Sequence, residues 1–133
     1  MYRRQRLQNP HLRKITNLQP YLNRVKKGAR FGNLKLRDYV NCTSDFLRQW
    51  LSYTERQYCN NKDMKTHINH LKPLSQIKPD CEEDFFTYFS WRNTRVIPAK
   101  ENRIKRSKEP SDMEIEQQEC HVADFLNLLT LIT

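Results

Sequence analysis

The sequence predicts an all-α chain: a small orthogonal helical bundle with a basic N-terminal arm and a separate C-terminal amphipathic helix. Three observations carry that expectation. Glycine occurs only twice in 133 residues, at Gly28 and Gly32, too rarely for the turn-rich build of a β-sandwich or barrel, or for a phosphate-cradling glycine loop. Apolar residues recur at spacings of three and four, which gathers them on one helical face. Ser, Thr, Asn and Asp stand where those stretches begin, placed to accept from free backbone N–H groups.

The expected organisation is 1–10 as a flexible basic arm, 11–98 as a helical domain, 99–110 as a charged linker and 111–133 as the C-terminal helix. Met1 to Leu7 has too few apolar residues to repay ordering. Leu12, Ile15 and Leu18 follow at helical spacing, and Pro20 opens a second short helix that Gly28 stops. Leu22 and Val25 face the core there, while Arg24, Lys26 and Lys27 face out. After a turn at Gly32, Asn33 caps a helix carrying Leu36, Tyr39 and Val40. Asn41, tolerant of the left-handed conformation, ends it, and Thr43 or Ser44 caps the next. Phe46, Leu47, Trp50, Leu51, Thr54 and Tyr58 form the buried face of that helix. Asp45, Arg48, Gln49, Ser52, Glu55 and Arg56 lie opposite.

Asp63 to Leu71 reads as a short helix with Met64, Ile68 and Leu71 inward. His67 and His70 would then share a face, but with Cys59 and Cys81 they lack the tight ligand pairs of a zinc site, so no metal or other cofactor is expected. Asp80 and Glu83 form a capping box for an aromatic helix of Phe85, Phe86, Tyr88, Phe89 and Trp91, with Arg92 and Arg95 at its C-terminal end. That helix is expected to pack against the 46–58 helix, or alternatively to act as an acidic, aromatic docking segment. Val96-Ile97-Pro98 adds a short extended piece. Ala99 to Pro110, charged and with a single Ile, reads as flexible linker. Ser111 and Glu114 form a second capping box. The helix they open carries an apolar stripe of Ile115, Val122, Phe125, Leu126, Leu129 and Ile132, suited to a protein partner, to self-association, or to docking on the chain's own core.

The charge is concentrated. Residues 1–37 hold eleven Lys or Arg and no acid, so of the net +9 the remainder carries 13 − 15 = −2. Arg3, Arg4, Arg6, Arg13, Lys14, Arg24, Lys26, Lys27 and Arg30 are therefore the candidate phosphate contacts. An acid-free, Arg-containing amphipathic start also fits a mitochondrial presequence, which stands as the alternative to nuclear or cytoplasmic placement. Four cysteines without a CxxC pair suggest free thiols, and no apolar run approaches the ~20 residues that span a bilayer. The sequence has no nucleophile elbow, phosphate loop or metalloprotease helix, and Cys120-His121 would diverge on a helix, so no enzyme is expected.

Leu36 to Leu51 resembles a helix-turn-helix hairpin, with Leu36, Val40, Cys42, Leu47 and Trp50 at its apolar positions. It departs at Arg37, where a small residue is usual, and at Asn41, where glycine is usual. The resemblance implies a second helix in the major groove, with Arg48 forking to guanine and Gln49 reading adenine. The resulting expectation is a non-enzymatic nucleic-acid-binding protein, with DNA favoured over RNA. The alternative is a structural or adaptor subunit that docks through its C-terminal or its aromatic helix.

Overall fold

The computed structural model describes residues 10–29, 34–61, 63–105 and 108–132. Among them are six α-helices and a two-stranded antiparallel sheet, so the all-α expectation is overturned.

Helix α1 (Pro10–Lys26) runs unbroken through Pro20, where two short helices were expected. Pro20 lies on the exposed side, where a carbonyl deprived of its N–H partner is left to water, while Leu18, Tyr21, Leu22 and Val25 are buried on the other side. Gly28 ends the helix at a φ of +111°. Its N–H donates to Val25 O and that of Ala29 to Arg24 O, each at 3.0 Å, the paired bonds of a Schellman motif.

Helices α2 (Leu34–Val40) and α3 (Ser44–Tyr58) meet at a turn where Asn41 takes a φ of 65° and Thr43 Oγ1 accepts from Phe46 N at 3.1 Å. Both features follow the sequence reading. The aromatic segment divides its packing between the two helices. Phe85 and Phe89, on or just after α4 (Glu82–Tyr88), lie 5.5 and 5.9 Å from the Tyr39 ring of α2. Trp91 meets Phe46 and Trp50 of α3 at 4.7 and 5.2 Å. The Asp80–Glu83 capping box does not form: Cys81 is the cap residue, and it is Asp84 that turns back to accept from Lys78 N at 2.9 Å.

Strands β1 (Thr66–His70) and β2 (Thr94–Pro98) pair with Ile68 opposite Val96. The expected 63–71 helix is thus a strand. Met64, Ile68 and Leu71 fit a helical spacing, but Thr66 and Ile68 are β-branched, and pairing with a distant strand decides the outcome. His67 and His70 consequently fall on opposite faces, the first exposed and the second buried. Arg95, expected at a helix end, is buried in β2 at 2% exposure. The expected linker at 99–110 instead begins with helix α5 (Ala99–Lys105), whose Ala99 N–H donates to Lys65 O at 2.9 Å and whose body packs on both strands.

Bonds from Leu71 N to Asn93 O and from Ala99 N to Lys65 O set the alternation of the ladder. It leaves the backbone groups of Thr94, Val96 and Pro98 facing away from β1, and Pro98 has no N–H to lose there. Helix α3 covers this edge with side chains. Trp50 Nε1 donates to Thr94 O at 3.0 Å, Thr54 Oγ1 accepts from Val96 N at 3.0 Å, and Cys59 Sγ lies 3.9 Å from Val96 O. Gln118 of α6 (Asp112–Ile132) adds a second donor to Thr94 O at 2.9 Å. A sheet edge that would otherwise template association is closed from within. The Ser111–Glu114 box opens α6 as read, with Glu114 N donating to Ser111 Oγ at 3.2 Å.

Candidate nucleic-acid interface

The last turn of α1 is fastened to the outer face of α3. Arg48 Nε lies 3.4 Å from Val25 O and its second guanidinium nitrogen 3.5 Å from Gly28 O, while the remaining one pairs with Asp45 at 3.2 Å. Arg48 therefore spends its donors on carbonyls at the end of α1, where a cation also meets the negative pole of the helix. Lys26 reaches Glu55 at 2.9 Å and Thr66 Oγ1 at 3.2 Å. Arg24 and Lys27 near the end of α1 are exposed, as are Gln49, Ser52 and Arg56 of α3.

Of the candidate contacts, Arg24, Lys27 and Gln49 present free-standing surface, whereas Lys26 and Arg48 are half-buried and engaged. Arg3, Arg4, Arg6 and Arg30, and the side chains of Arg13 and Lys14, lie outside the described residues. The hairpin positions Leu36, Val40, Leu47 and Trp50 are all buried, and Cys42 is half-buried against the core. Burial pushes the Cys42 thiol up to about 12.

No known protein family, curated protein or solved structure matches this chain.

The apolar stripe of α6 is largely used inside the fold. Val122 and Phe125 are buried, Phe125 lying 5.4 Å from both Phe46 and Trp50, and Leu126 and Leu129 pack beside them. Ile115 is half-buried on the wall of a groove, and the side chain of Ile132 lies outside the described residues. The helix is thus continuous with the core rather than held apart by a linker. Among the described residues no three of His, Cys, Asp and Glu stand close enough to share a metal.

Sequence reading missed a polar cluster under α5. Arg95 pairs with Glu114 at 3.1 Å, Lys105 joins the same carboxylate, and the Arg95 guanidinium carbon lies 5.2 Å from the Tyr58 ring centre. Burial alone would raise the Glu114 carboxyl, but hydrogen bonds from Lys105, Arg95 and the Ser111 backbone hold it down to about 2. The only sequence signal was an arginine inside the apolar run at 94–98, where an ionised side chain needs a partner.

Proposed function

We propose that the chain is a non-catalytic nucleic-acid-binding protein, DNA more than RNA, which grips phosphates with its basic N-terminal segment and the adjoining α1–α3 surface. The observation that carries this reading is the acid-free run of eleven cations in residues 1–37 leading into a surface that exposes Arg24, Lys27, Gln49 and Arg56. In this reading Arg48 is a positioning residue that fixes α1 against α3, and base contact falls to Gln49. The helix-turn-helix resemblance enters as the reason to place α3 toward the groove. Nuclear or cytoplasmic placement belongs to the same proposal.

The test is fluorescence anisotropy with duplex DNA and single-stranded RNA at low and physiological salt. Affinity is expected to fall steeply with salt as phosphate contacts release counterions. Arg24→Glu with Lys27→Glu should weaken binding to all sequences alike, whereas Gln49→Ala should alter sequence preference. Absence of binding at low salt would sink the proposal.

A second reading, an adaptor subunit, has one observation in its favour. A groove of about 370 Å³ between α4 and α6 exposes Phe86 to 49% and is walled by Leu71 and Ile115. Removing 111–133 would take Val122 and Phe125 from the core, so point changes are the sounder test. Phe86→Asp and Ile115→Asp should abolish a complex while leaving nucleic-acid affinity intact if the groove is the docking surface.

A further inference from the structure

The two edges of the sheet are finished differently. Side chains of α3 and α6 close the outer edge of β2. The bonds from Leu71 N to Asn93 O and from Ala99 N to Lys65 O turn the backbone groups of Lys65, His67, Asn69 and Leu71 toward β2. The N–H and C=O groups of Thr66, Ile68 and His70 therefore point the other way. Among the described residues none of these outward groups has a hydrogen-bond partner. The devices that usually blunt such an edge are also missing: Thr66–His70 (THINH) contains neither lysine nor proline, and its register with β2 runs without a bulge.

This unpaired edge is recessed. His67 to His70 line an open cleft of about 410 Å³, which Pro73, Leu74 and Ser75 complete at the 3-10 turn and Asn102 and Arg103 at α5. Ile68, Asn69 and His70 are only 5%, 6% and 9% exposed. Backbone groups held that far from bulk water are seldom left unpaired. Another extended backbone is what offers donors and acceptors at the alternating spacing of a strand edge. A second copy of this chain is a poor occupant, because its own β1 edge lies equally deep between the same walls, whereas a slender extended segment reaches the strand. Charge narrows the choice further. None of the described lining residues carries a carboxylate, and Lys65 and Lys72, just beyond the two ends of β1, are exposed. A lysine at either end favours a segment with acidic residues flanking its paired stretch.

We propose that the outer edge of β1 is a docking site for an extended acidic peptide of a protein partner, which adds as a third strand through the backbone of Ile68 and His70. The inference does not rest on the nucleic-acid reading. Its test uses the full chain and the synthetic peptide acetyl-Glu-Glu-Val-Thr-Val-Thr-Glu-Glu-amide. Proton–nitrogen spectra are expected to show saturable downfield shifts and slower exchange at the Ile68 and His70 amides. The amides of His67 and Asn69, already bonded to β2, should move little. The same peptide N-methylated at its central Val and Thr residues keeps its charge and loses its donors, and should bind weaker by at least about tenfold. Lys65→Glu with Lys72→Glu, both at exposed positions, should weaken the acidic peptide by about tenfold without lowering the melting temperature. Undiminished binding of the N-methylated peptide, a response confined to the basic residues of α1, or no saturable response would overturn the proposal. Protection of the Ile68 and His70 amides that rises with protein concentration in the absence of peptide would overturn it in favour of a second copy.

Discussion

Replacing Thr54 by valine keeps the shape of a fully buried side chain and removes only its hydroxyl. That hydroxyl donates to Leu51 O at 2.9 Å and accepts from Val96 N at 3.0 Å. The donation is dispensable, because a carbonyl in mid-helix retains its backbone partner. The acceptance is not, because the Val96 N–H points away from β1 into the core and valine offers it nothing. Leaving that donor unsatisfied costs roughly 1–3 kcal/mol, or about 8 °C in melting temperature if 1 kcal/mol shifts a chain of this size by about 4 °C. Thr54→Ser keeps both bonds and loses one methyl group, about 1 kcal/mol and about 4 °C. The two variants would be compared by thermal and urea unfolding followed by circular dichroism, together with exchange of the Val96 amide. Valine is the more hydrophobic residue, so burial alone predicts the opposite order. A Thr54→Val protein as stable as Thr54→Ser would refute the account of α3 as the cover of the β2 edge.

Gly28→Ala is expected to destabilise by about 1 kcal/mol in urea titrations, through backbone conformation alone, since a Cβ there would meet nothing within 4 Å. Stability should fall in two stages on acidification. Burial pushes the His70 imidazole down to about 4 from 6.5, so its contribution is fully present above pH 6.5 and lost as pH falls toward 4, about 3 kcal/mol in all. Glu114, held at about 2 against 4.5, contributes above pH 4.5 and fades toward pH 2, by about 1–2 kcal/mol after solvent screening. His70→Leu should flatten the first stage and Glu114→Gln the second in acid titrations of unfolding free energy. A thiol reagent at mildly alkaline pH should label exposed Cys120 in the native chain, and Cys42, raised to about 12 by burial, only after unfolding.

Local chemistry set a good part of this fold. The Thr43 cap, the left-handed Asn41, the Gly28 stop and the Ser111–Glu114 box each act within six residues, and each is where the sequence places it. The inward face of α3 follows as directly, because a helix of that spacing has one apolar side. Misreadings arise where two elements far apart in sequence compete with a local pattern. Asp63 to Leu71 carries a helical spacing of apolar residues, yet Ile68 pairs with Val96, 28 positions later. Ala99 to Lys105 is charged enough for a linker, yet its first residue bonds to Lys65 and its backbone is held on the sheet.

The candidate sites divide the same way. The basic segment is legible in composition, since charge is additive along the chain. The engagement of Arg48 with the end of α1 is not, because it depends on a contact across 20 to 23 positions. The hydrogen bonds from Arg95 to Asn69, from Asn69 to Asn102 and between Asn102 and His67 are still less visible, as they join a strand, its partner and a following helix through single side-chain contacts. By itself the sequence determined where helices start and stop, which faces are apolar and where the positive charge lies, because those properties depend on neighbours a few residues apart. Only the tertiary structure decided that 66–70 is a strand, that α6 belongs to the core and that Asn69 and Asn102 link a buried arginine to an exposed histidine. Those outcomes rest on partners that a linear reading does not bring together.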